Sequence, residues 1–110
     1  MARLASGLWV SAYLARLQAE AIPVYVTAKG DETAGAVLVK LATLDGKAAL
    51  WQRSYDLMTG ERTWMALAEG DEREMDAVVA RECRTDPDLW VIEVESRDGT
   101  TLLDQPGLSD

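Results

Sequence analysis

Histidine is absent from all 110 residues. Its absence removes the usual general base near neutral pH, the Ser-His-Asp and Cys-His nucleophile systems, and every histidine metal ligand. Cysteine is nearly absent as well. Cys83 stands alone, so no intrachain disulfide forms and a structural zinc site lacks donors. Phenylalanine is missing, and Trp9, Trp51, Trp64 and Trp90 supply the large apolar volume together with three tyrosines. An indole carries an N–H that needs an acceptor, so tryptophans favour core margins and interfaces over plain core positions. Positive charge is scarce: 11 Lys and Arg stand against 19 Asp and Glu, a net charge of −8. Neither nucleic acid nor an anionic membrane surface suits such a chain, and basic partners stay open. No apolar run approaches the roughly 20 residues of a membrane-spanning helix.

What is present fits one domain. Hydrophobic residues make up 48% of the chain, enough to build a core without staples. Arg3, the apolar stretch 4–15 and Ala19-Glu20-Ala21 imitate a secretory leader, but Arg16, Gln18 and Glu20 break the imitation. The expectation is a soluble cytoplasmic domain with no cofactor.

Apolar spacing predicts a helix from Ser6, as cap, to Glu20. Its larger face carries Val10, Tyr13, Leu14, Leu17 and Ala21, and a shallower stripe carries Leu8, Ala12, Ala15 and Ala19. Alternation predicts strands at 24–28, 36–43, 48–55, 62–68 and 89–95. Asp45-Gly46 and Asp98-Gly99 are hairpin signals, the second of which adds a short sixth strand at 101–103. Asp71 to Glu74 resembles a capping box opening a second helix, which Asp86-Pro87 stops. The fold class is α+β, in the order α-β-β-β-β-α-β. Two helices pack on a mainly antiparallel sheet of five to six strands, with 36–68 as its central meander.

Phosphate-loop chemistry fails here. Gly30 and Gly35 have the right spacing, but Ala36 and Val37 follow where Lys and Ser or Thr belong, and Asp31 and Glu32 repel phosphate. The element order is similar to the cores of certain magnesium nucleases, yet strands 36–43 and 48–55 carry no acid.

The loop of Lys29, Gly30, Asp31, Glu32 and Gly35 is the candidate binding site, because polar groups concentrate there between two strands. As an enzyme it would use Asp31 or Glu32 with Lys29, and would need a second acid such as Asp56 or Glu93 within reach. The main expectation is a non-catalytic binding or interaction domain for a protein partner or small ligand. Trp51, Arg53 and Tyr55 share a strand face, which reads first as a sheet face half covered by helix and second as a polar-aromatic patch. Cys83 falls on the apolar face of its helix and reads as an inert thiol. The stripe of Leu8, Ala12, Ala15 and Ala19, with Trp9 as anchor, is the candidate homodimer interface.

Ser6-Gly7-Leu8-Trp9-Val10, Ala19-Glu20-Ala21-Ile22-Pro23, the segment from Lys29 to Gly35, and Leu89-Trp90-Val91-Ile92-Glu93-Val94-Glu95 with Leu103-Asp104 together carry a resemblance. The chain resembles an alphaproteobacterial family of uncharacterised proteins of about this length. The resemblance implies a stand-alone bacterial domain and assigns no catalytic residue.

Overall fold

A computed structural model describes residues 5–55, 58–60 and 62–108. Seven elements follow the expected order: α1 (Ser6–Ala19), β1 (Val24–Ala28), β2 (Val37–Ala42), β3 (Lys47–Tyr55), β4 (Arg62–Asp71), α2 (Glu72–Thr85) and β5 (Trp90–Glu95). The five strands lie in the spatial order β1-β5-β2-β3-β4. Every pairing is antiparallel except β2 with β5, which is parallel. The meander β2-β3-β4 therefore runs from the middle of the sheet to one edge instead of forming its centre, because β5 inserts between β1 and β2.

The two helices cover opposite faces. Period-two alternation sends Val37, Val39 and Leu41 of β2, with Trp90, Ile92 and Val94 of β5, toward Trp9, Val10, Tyr13 and Leu17 of α1. Leu102, Leu103 and Leu108 of the C-terminal segment complete that layer. The alternate residues, among them Leu38, Leu50 and Val91, meet Met75 of α2, with Val78, Val79 and Cys83 half-buried beside it. All six residues of β2 are buried, as a central strand covered on both sides requires.

A bulge between Leu50 and Trp51 adjusts this alternation. Leu50 pairs with Ala68 while Trp51 pairs with Ala66, which leaves Leu67 as the extra residue. Side chains of β4 exchange faces at that point. Ala68 packs on the α2 side, and Trp64 packs on the α1 side.

Three expectations change. Residues 101–103 form no strand; Leu102 is buried with φ of 61°, and that left-handed backbone cannot continue a ladder. Ser6 is not the cap of α1, where Ala5 takes that position, and Asp71 sits at the N-cap of α2 but makes no side-chain cap bond. Both helices begin instead on loop carbonyls. Ser6 and Gly7 donate their N–H groups to Thr33 and Glu32 at 3.2 and 2.8 Å, and Glu72 donates to Gly46 at 2.9 Å. These bonds satisfy N–H groups that a helix start otherwise leaves open. Gly46 sits at φ of 87°, so the Asp45-Gly46 turn adopts the positive-φ backbone that its composition favours.

Candidate functional site

Three constellations of polar side chains bear on function. The first is the 29–35 loop. Its lysine and glutamate meet as an ion pair at 3.3 Å, but Lys29 and Glu32 remain 70% and 63% exposed. Asp31 turns its carboxylate back to accept N–H bonds from Thr33 and Ala34. Its backbone accepts the Trp90 indole N–H at 2.8 Å and donates to the Asp88 carbonyl at 3.0 Å. Gly30 and Gly35 both press against the backbone at Asp88, where a Cβ would collide with the carbonyl oxygen. The loop thus holds the start of α1 against the chain leading into β5. Glu93 lies elsewhere, and Asp56 falls outside the described residues.

The second constellation escaped sequence analysis. Lys40 lies mid-β2, only 4% exposed. Its Nζ reaches Asp76 at 2.6 Å, Glu72 at 2.8 Å and Glu93 at 3.2 Å. The parallel register places Lys40 beside Glu93, and the first turns of α2 supply the other two acids. Burial works against the charged amine, but hydrogen bonds to Asp76, Glu72 and Glu93 outweigh it and raise its pKa above the ordinary lysine range. The available signal was a single charge inside the apolar run of β2, facing another inside β5. Among the described residues, no group of three or more carboxylates and thiols is disposed to hold a metal ion.

The third is a groove. Trp51, Thr63 and Trp64 form one wall, and residues 99–105 form the other, enclosing about 690 Å³ open to solvent. That volume falls within the roughly 300–1,000 Å³ of small-ligand sites. The 99–105 wall is firmly built. Tyr13 donates its hydroxyl to Thr101 O at 2.8 Å, and Trp64 donates its indole N–H to Leu108 O at 3.0 Å. Ser96 and Thr100 hydrogen-bond the Asp98 carboxylate and hold its pKa below the ordinary carboxylate value. Beneath the groove the Arg53 guanidinium stacks 4.8 Å from the Trp9 ring and 5.3 Å from the Trp64 ring. Burial also pushes the Tyr13 hydroxyl above its ordinary range.

The four indoles now differ. Trp64 and Trp90 donate to carbonyls. Trp9 and Trp51 have shielded N–H groups with no acceptor among the described residues. Trp9 is 2% exposed and locked in the core, so it is not a surface anchor. Trp51 is only half-buried and borders the groove. Of the polar-aromatic patch, Trp51 lines the groove and Arg53 underlies it.

The dimer stripe points outward. Leu8 is 58% exposed, and Ala12, Ala15 and Ala19 are also exposed, while α2 lies on the far side of the sheet. Cys83 is half-buried. No helix among the described residues is long and apolar enough to cross a membrane.

No curated protein matches this chain. Solved structures do, among them the following three. A crystal structure of a DUF1491 family protein from Caulobacter crescentus CB15 shares 38% identity over 94% of this chain and 95% of that one, with a TM-score of 0.82. An NMR structure of a DUF1491 family protein from the same organism shares 38% identity over 96% and 97%, also at 0.82. The solution structure of protein Atu0922 from A. tumefaciens shares 34% identity over 96% and 98%, at 0.76. The profile described as protein of unknown function (DUF1491) matches residues 4–104. With that match spanning nearly the whole chain, and with the same fold in relatives above 30% identity, the chain belongs to the DUF1491 family.

Proposed function

We propose that this chain is a non-catalytic cytoplasmic binding module whose ligand seats between β4 and the 99–105 segment. The observation that carries the reading is the Trp51 indole N–H, shielded from water and without an acceptor at the margin of a groove. A buried donor left unpaired costs about 1–3 kcal/mol, and a ligand acceptor met by a turn of the ring toward the groove would relieve that cost. The left-handed backbone of Leu102 in the opposite wall supports the same reading, since local strain concentrates at sites that clamp ligands.

A photo-reactive residue placed at exposed Thr63 tests it in the native bacterium. The expected result is a discrete set of adducts whose yield falls several-fold in Trp51→Phe, which keeps most of the ring and removes the N–H. Adducts identical to those from a control position at Ala80, or none at all, would overturn the reading.

A second reading is a small enzyme working through a lysine and carboxylates. The observation in its favour is the Lys40 cluster, which gathers the Glu93 acid that the 29–35 loop lacks. Catalysis by Lys40 requires an amine that releases its proton near neutral pH. The hydrogen bonds to Asp76, Glu72 and Glu93 oppose that release. An NMR titration of the Lys40 side chain is expected to show it charged throughout the neutral range. Deprotonation between pH 6 and 8 would favour the enzyme instead.

A further inference from the structure

We infer that the occupant of the groove is an extended, basic segment of a partner protein, added as a strand along the outer edge of β4. The inference rests on the binding reading above and names its ligand. Three observations converge. First, β4 ends the sheet, and its ten residues span about 33 Å. Among the described residues no strand pairs with its outer edge, which leaves that edge available to an added strand. Second, the groove continues from that edge, because Thr63 and Trp64 of β4 line it. A segment lying along β4 would therefore run into the mouth of the groove that Trp51 borders. The exposed side chains of Met65 and Leu67 offer apolar contact along the same strand.

Third, the charge described around the groove is negative. Among the described residues the groove lining includes Asp104 and no lysine or arginine. Asp98 flanks it as a carboxylate held by Ser96 and Thr100. Glu69 continues the negative charge along β4, where Asp71 is already paired with Lys47 at 2.9 Å, in a chain of net charge −8. Arg53 stacks beneath the rings and does not line the groove. Backbone pairing supplies affinity in strand addition, and such a field favours lysine or arginine between the apolar positions.

The test uses two probe peptides, acetyl-Lys-Val-Lys-Val-Lys-amide and acetyl-Glu-Val-Glu-Val-Glu-amide, added to the intact isotope-labelled protein at low ionic strength. The basic peptide is expected to shift the Trp51 indole signal together with the β4 amides from Met65 to Leu67, and the acidic one to shift neither. Glu69→Lys with Asp104→Asn changes exposed positions and should weaken the basic peptide about tenfold or more. Added salt should weaken it too. Equal responses to both peptides would overturn the charge argument and leave the groove reading standing. Movement of Trp51 without the β4 amides would overturn strand addition alone. Silence from both peptides at every signal would count against the inference and the groove together.

Discussion

Lys40→Ala is expected to lower the unfolding free energy by about 3 kcal/mol at neutral pH, by analogy with other broken buried ion pairs. The substitution removes a charge that three carboxylates share and leaves them facing one another. The expected loss sits at the low end of the range because Asp76 is 57% exposed and water screens its part. The pH dependence has a definite sign. The folded-state pKa of Lys40 lies above its ordinary value, so its contribution is complete below about pH 10.4 and fades as pH rises through the higher folded value. Urea unfolding of both proteins across pH measures this. A deficit under about 1 kcal/mol, or one that does not shrink at strongly alkaline pH, would mean that the cluster is a surface ornament and not a clamp between α2 and the sheet.

Trp9→Ala is expected to cost still more, about 3–5 kcal/mol. Its ring stacks on Tyr13 with centroids 4.9 Å apart and meets Trp64 at 5.3 Å. It also supports the Arg53 guanidinium. Removing it opens a cavity under the groove wall, so the Trp64 and Trp51 environments should change with it. Leu8→Ala, one residue earlier on the same helix, should cost no more than a few tenths of a kcal/mol in a monomer, since surface substitutions rarely exceed about half. Thermal unfolding of the pair decides the matter. A small effect at Trp9 with a large one at Leu8 would reverse the assignment of the α1 faces.

The contrast between those neighbours shows where sequence stopped being legible. Helical spacing located both apolar stripes of α1, and alternation located all five strands to within a few residues. It did not say that Trp9 belongs to the deep stripe, because a large ring reaches sideways from its position on a helix. The Asp98-Gly99 hairpin signal points to a strand at 101–103, but the core holds Leu102 and Leu103 from an irregular segment instead. The 29–35 loop drew attention through its charge. Its conspicuous features prove to be backbone bonds and glycine contacts, which composition does not display. The Lys40 cluster joins residues 32, 36 and 53 positions apart, a juxtaposition set by a parallel register. The groove needs the 99–105 segment folded across to β4, again a matter of topology.

The position of β5 has a consequence for the chain as it is made. β1 and β2 are synthesised early, yet the strand that joins them is the last of the five. Until β5 leaves the ribosome, β2 has one bare edge, and its sequence Val-Leu-Val-Lys-Leu-Ala is apolar at every position but one. Such a segment invites the wrong neighbour when it waits unpaired. Lys40 is the exception in that run, and before β5 is made its amine has only the acids of α2, Glu72 and Asp76, within the chain's reach. A charge at the centre of an open strand penalises pairing with any strand that brings no acid to meet it. The side chain that later clamps the finished sheet thus guards the gap during synthesis, and it admits the one strand of this chain that carries a glutamate in register.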